Sequence, residues 1–123
     1  MTAFPNVENG IDQRVSNGNC TIAKSTIRAK LTVHMPRWVA PKRVPKRLLA
    51  WWRDVVDFIR DHEAGHVVIS RDHVERLNKR LVSEDCEDAD SIIGRWAKEL
   101  SSAHEEYDRK EYAMPWPAPP AGY

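Results

Sequence analysis

At 123 residues, with 41% hydrophobic and 30% charged side chains, the chain is sized for one domain around a single modest core. A formal net charge of +1 gives no electrostatic case for a nucleic-acid partner, and no apolar run reaches the length of a membrane span. The opening MTAFPNVENGIDQRVSNGNC lacks the basic start and apolar centre of a secretory signal, so the chain reads either as cytosolic or as the mature or truncated form of an exported protein.

Residues 1–18 read as a loose N-terminal segment with Pro5, Asn6, Asn9 and Gly10, ending at Asn17-Gly18, a strong two-residue hairpin signal. From Ile27 the pattern alternates: Ile27, Ala29, Leu31, Val33 and Met35 share one face, and Arg28, Lys30, Thr32 and His34 the other. That predicts a half-buried antiparallel strand. Pro36, Pro41 and Pro45 make the next ten residues a connector. Its cluster Arg37, Lys42, Arg43, Lys46 and Arg47 reads as a solvated linker.

Apolar and histidine positions then step by three and four from Leu48 through Trp51, Trp52, Val55, Phe58, Ile59, His62 and His66 to Leu77 and Leu81. This predicts a long helix from about Lys46 to about Val82, bent or broken at most once. A second helix is predicted from about Asp88 to Tyr112, with Ile92, Ile93, Trp96, Leu100, Ala103 and Tyr107 on its inner face. Residues 113–123, with Pro115, Pro117, Pro119 and Pro120, form a Pro-rich tail read as extended.

Cys20 and Cys86 are too far apart for a CxxC site. By spacing alone they are either a disulfide or two reduced thiols.

Within the first helix stands His62-Glu63-Ala64-Gly65-His66. Residues four apart lie on one helical face, roughly 5–6 Å apart at Cβ. Two imidazoles so placed can share a Zn²⁺ ion at ~2.0–2.1 Å. Glu63 sits round the helix from His62, where its carboxylate can take a proton from water activated by the ion. Ala64 and Gly65 are small enough to let another segment approach closely. The flanks Val55 to Ile59 and Val67 to Ile69 make this the apolar middle of a helix, a costly place for idle polar groups.

A catalytic zinc takes three protein ligands. His73 lies seven residues beyond His66, about 10 Å along the helix axis, too far to share the ion. The second helix offers His104, Asp108 and Glu111 on one stripe, with Glu105 off it. Tyr107 beside them is a candidate donor to a developing oxyanion.

The joint order of an alternating strand, Met35-Pro36-Arg37-Trp38, the Trp-bearing helix into HEAGH, Val67 and Ile69, Cys86 and Tyr107-Asp108 resembles a bacterial domain-of-unknown-function family described as predicted secreted zinc-dependent proteases, within the wider zincin group. The resemblance covers about Asn19 to Tyr112. It implies that His62 and His66 bind zinc, that Glu63 is the general base, that the protein is exported, and that Cys20 pairs with Cys86. Family members follow Tyr-Asp with Thr and then His-Gly, whereas this chain continues Arg109-Lys110-Glu111-Tyr112-Ala113-Met114. The His that would be a natural third ligand is missing, which leaves Asp108, His104 or Glu111 to take its place, or a weak or inactive site; Asp108 is the one taken forward as ligand.

The combined expectation is an α+β fold, a short antiparallel sheet packed on a long HExxH helix and a second helix, zincin-like over residues 19–112. The expected function is a secreted or periplasmic zinc metallopeptidase acting on peptide or protein substrates, with metal ligands His62, His66 and Asp108, catalytic residues Glu63 and Tyr107, and no nucleic-acid or membrane partner. An exposed edge strand would hold the substrate extended. The alternative is a zincin-fold binding or structural module with weak or no catalysis.

Overall fold

Two long antiparallel helices carry the molecule, and two β ladders brace one end of them. The computed structural model describes residues 6–8, 10–39 and 42–122. Its elements run β1 (Asn6–Glu8), β2 (Ile11–Ser16), β3 (Asn19–Ser25), β4 (Arg28–Lys30), α1 (Lys46–Leu81) and α2 (Ala89–Tyr112), with a single 3-10 turn at Cys86–Asp88 before α2. The architecture is α+β, as the patterning predicts, but the strands form two separate antiparallel pairs, β1 with β4 and β2 with β3.

The β2–β3 hairpin turns at Asn17 and Gly18, whose φ values of 52° and 79° are those that a tight mirror-image turn requires. Strand pairing therefore begins within the segment read as loose, and a boundary at residue 18 would cut through this hairpin. Residues 1–5 and 9 of that segment lie outside the described residues.

Part of the strand expected from Ile27 to Met35 is seen in a ladder. Among the described residues Arg28–Lys30 pair, in register with the three residues of β1, and Val33 carries a further bridge. Ile27 is buried, and Val33 and Met35 are exposed.

α1 is one unbroken helix of 36 residues, spanning about 54 Å. Leu48 N–H and Leu49 N–H donate to the Pro45 carbonyl at its start, and Lys79 and Arg80 lie in its last turn, where the dipole favours cations. The loop to α2 is stitched to β3. Ile22 N–H donates to Glu84 O at 2.9 Å, and Ser83 N–H donates to Ile22 O at 2.8 Å. The Cys20–Cys86 disulfide closes the same junction. Asn78 on α1 accepts from Ile27 N–H and Ser25 Oγ and donates to Ile27 O, satisfying the backbone where β3 passes into β4.

The apolar core lies at this end. Ile22, Ile27, Leu77, Leu81, Ala89, Ile92, Trp96 and Leu100 form it. Trp96 Nε1–H donates to the His73 carbonyl at 2.8 Å, which sets the register of α2 along α1. Beyond that point the buried interface changes character. His62, Glu63, His66, Ser70 and His104 are all between 4% and 7% exposed, where an ordinary helix pair would continue its apolar seam.

Candidate metal centre

The two arms of the helical hairpin match in length. His62 stands 19 residues before the end of α1 at Leu81, and Asp108 stands 19 residues after the start of α2 at Ala89. With equal rise per residue, antiparallel packing sets them level without any bend in α1.

His62 and His66 point at one carboxylate oxygen. His62 Nε2 lies 2.9 Å and His66 Nε2 2.6 Å from Asp108 Oδ1. One ligand atom from each of these three residues falls within 4.8 Å of the other two. The donor set, two imidazole nitrogens and a carboxylate oxygen, is of the type that binds Zn²⁺. The Asp108 side chain is 40% exposed, which leaves the cluster open on one side.

His66 is also held from behind. Its Nδ1 lies 2.7 Å from His104 Nδ1, and His104 Nε2 lies 3.0 Å from Ser70 Oγ. Each step requires one N–H or O–H and one lone pair, so the chain of bonds runs one way or the other as a unit. Ser70 suits both directions because a hydroxyl donates or accepts. Burial first, then the neighbouring His66, hold the His104 imidazole below its ordinary pKa, which favours the neutral ring this chain requires.

Tyr107 lies flat against His62, ring centroids 4.8 Å apart, and its hydroxyl donates to the His62 carbonyl at 2.8 Å. Burial, then Glu111, push its pKa up to about 12, so it stays a donor. In this geometry the hydroxyl proton is committed to the backbone, and support of an oxyanion would require it to leave that bond. Directly beneath, Gly65 is the residue over which the ring lies: a Cβ there would overlap the Tyr107 hydroxyl and ring. The small residue of HEAGH thus admits a tyrosine of α2.

Glu63 is buried and, with His62, borders a groove of about 450 Å³ whose other walls include Met35, Phe58, Ile59, Tyr112 and Trp116. His73 is outside the cluster; its Nδ1–H donates to the Ile69 carbonyl one turn back. Glu105 is exposed. Two features of the site go beyond the sequence-based expectation. One is the support of His66 by His104 and Ser70, signalled by Ser70 continuing the His62–His66 spacing and His104 standing four residues before Asp108. The other is the return of the C-terminal segment to the site, which has no local signal.

A family model described as "Bacterial protein of unknown function (DUF922)" matches residues 4–113. The chain belongs to this family. The match takes in the N-terminal ladder residues as well as both helices, a wider span than residues 19–112. Comparison with curated proteins and with solved structures returned no match.

Proposed function

We propose that this chain is a zincin-like zinc peptidase in which His62, His66 and Asp108 hold the ion and Glu63 is the general base. The observation that carries the reading is the replacement of the apolar helix seam by buried His62, Glu63, His66, Ser70 and His104, with both motif imidazoles converging on one carboxylate. Polar side chains buried in this way are costly unless they are paired or bound to a cation.

Zn²⁺ held there would polarise a peptide carbonyl and lower the pKa of water from 15.7 toward ~7. Glu63, next to His62 and facing the groove, takes the proton of the attacking water and returns it to the leaving amine. Asp108 supplies negative charge against the ion while leaving one side open. His104 and Ser70 fix the ring of His66, and Tyr107 fixes the height of α2 against His62. Export belongs to the same proposal. A disulfide suits an extracellular or periplasmic setting, and no described helix is long and apolar enough to cross a membrane.

The test is metal content together with turnover. The intact chain is expected to hold about one Zn²⁺, and His62→Ala or His66→Ala to release it. Glu63→Gln should keep the zinc and lose cleavage of peptide libraries. No zinc held at micromolar free metal would overturn the site. Cleavage undiminished in Glu63→Gln would remove Glu63 as the base, and a zinc-loaded chain that cleaves nothing would favour a binding module.

A further inference from the structure

The C-terminal segment does not trail into solvent. After α2 ends at Tyr112 the chain turns back across α1, and Trp51 Nε1–H donates to the Pro117 carbonyl at 3.0 Å. Trp116 packs on Phe58 with ring centroids 4.8 Å apart, and lies parallel to Tyr112 at 6.2 Å. Tyr112 in turn sits 5.0 Å from the His62 ring. This strap walls one side of the groove that begins at His62 and Glu63, and Met35 with Ile59 adds apolar lining. Trp116 remains 45% exposed, so an aromatic surface borders the groove.

We propose that this groove takes a large apolar side chain of a peptide, and that Trp116 is the specificity-determining residue. The groove starts at the motif itself, so a peptide carbonyl placed beside His62 and Glu63 directs a neighbouring side chain into the groove, onto the joined edge of Phe58 and Trp116. Apart from the imidazoles of His34 and His62, no basic side chain among the described residues lines it, and burying a carboxylate against its apolar walls is costly. A basic head would have to leave water among apolar walls to reach Glu63. The placement of the peptide rests on the peptidase reading; the preference of the groove does not.

The probes are blocked tripeptides, acetyl-Gly-X-Gly-amide with X as Phe, Leu, Ala, Lys or Glu. Binding is measured calorimetrically to the full chain carrying Glu63→Gln in zinc-containing buffer, and cleavage of longer peptides with the same X series is followed with the unmutated chain. The Phe and Leu probes should bind at least about tenfold tighter than Ala, Lys or Glu, the discrimination an apolar pocket gives. Trp116→Ala should reduce that preference to about twofold or less while zinc content is unchanged, and Trp116→Phe should keep it. If Trp116→Ala does not fold, Phe58→Ala, at the ring on which Trp116 packs, is expected to give the same loss. Equal binding across the series, no binding, or a ranking that survives loss of Trp116 overturns the proposal. A ranked series without cleavage by the unmutated chain removes the peptidase reading and leaves the groove assignment standing. Cleavage without ranking does the reverse.

Discussion

Asp108 and Gly65 occupy opposite roles around His62, one supplying charge and the other supplying room. Asp108 accepts both imidazole contacts, so Asp108→Ala should weaken zinc binding by more than the ~10–100-fold typical of a lost supporting partner. Glu105→Ala, on the exposed face, should leave it unchanged. Competition against a chelator measures both, and equal losses would remove Asp108 from the ligand set. At Gly65 two effects oppose each other. Ala raises helix propensity by roughly 1 kcal/mol, but its Cβ overlaps Tyr107, and overpacking costs about 1–3 kcal/mol. Gly65→Ala is therefore expected to destabilise, and to turn neutral or stabilising in a Tyr107→Ala background, as denaturant midpoints will show. An additive pair would mean that the ring does not press on this position. The cluster is largely readable from the sequence: spacing marks His62, Glu63 and His66, and the inner stripe of α2 narrows the partner to a few residues. What spacing does not supply is the choice among His104, Asp108 and Glu111, which depends on the axial register of the two antiparallel helices and so on where the turn between them falls.

At the level of elements, α1 and α2 are legible because a packed helix leaves its three-and-four period in every turn. The strand pairing over residues 27–35 is less so, because alternation records which side faces water and does not name the partner strand. The C-terminal strap is opaque for a related reason. Trp116 gains its place from Phe58 and the Trp51–Pro117 hydrogen bond, contacts distant in the chain, as well as from Tyr112 four residues before it. The loop between the helices makes the clearest quantitative prediction. The disulfide joins residues 66 apart, and in the chain-entropy picture such a closure stabilises by about 4 kcal/mol. Cys20→Ser with Cys86→Ser should lower the unfolding free energy by an amount of that order while the zinc stoichiometry of the folded fraction stays the same. A double variant as stable as the parent would show that the β3 contacts hold this junction alone.

Across the whole molecule, stability and site are kept at opposite ends of one helical hairpin. Ile22, Leu77, Leu81, Ile92 and Trp96 consolidate the end near the turn, while the far end relies on hydrogen bonds and ring contacts, to which the proposed ion would add. Free zinc a hundredfold above its Kd should add ~2.7 kcal/mol by mass action, and a chelator should remove it as a fall of several degrees in Tm. A Tm indifferent to chelation would argue against a bound ion. The arrangement is that of a pair of tongs, riveted at the hinge by the core and the disulfide, with Asp108 near the tip of the short jaw and His62 level with it, midway along the long one. Loss of the core would unfold everything, but loss of the tip contacts would only part the jaws. Amide exchange without zinc should therefore be slow near Leu77 and Ile92 and quicken steadily toward the tips, and zinc should flatten that gradient from the tips inward.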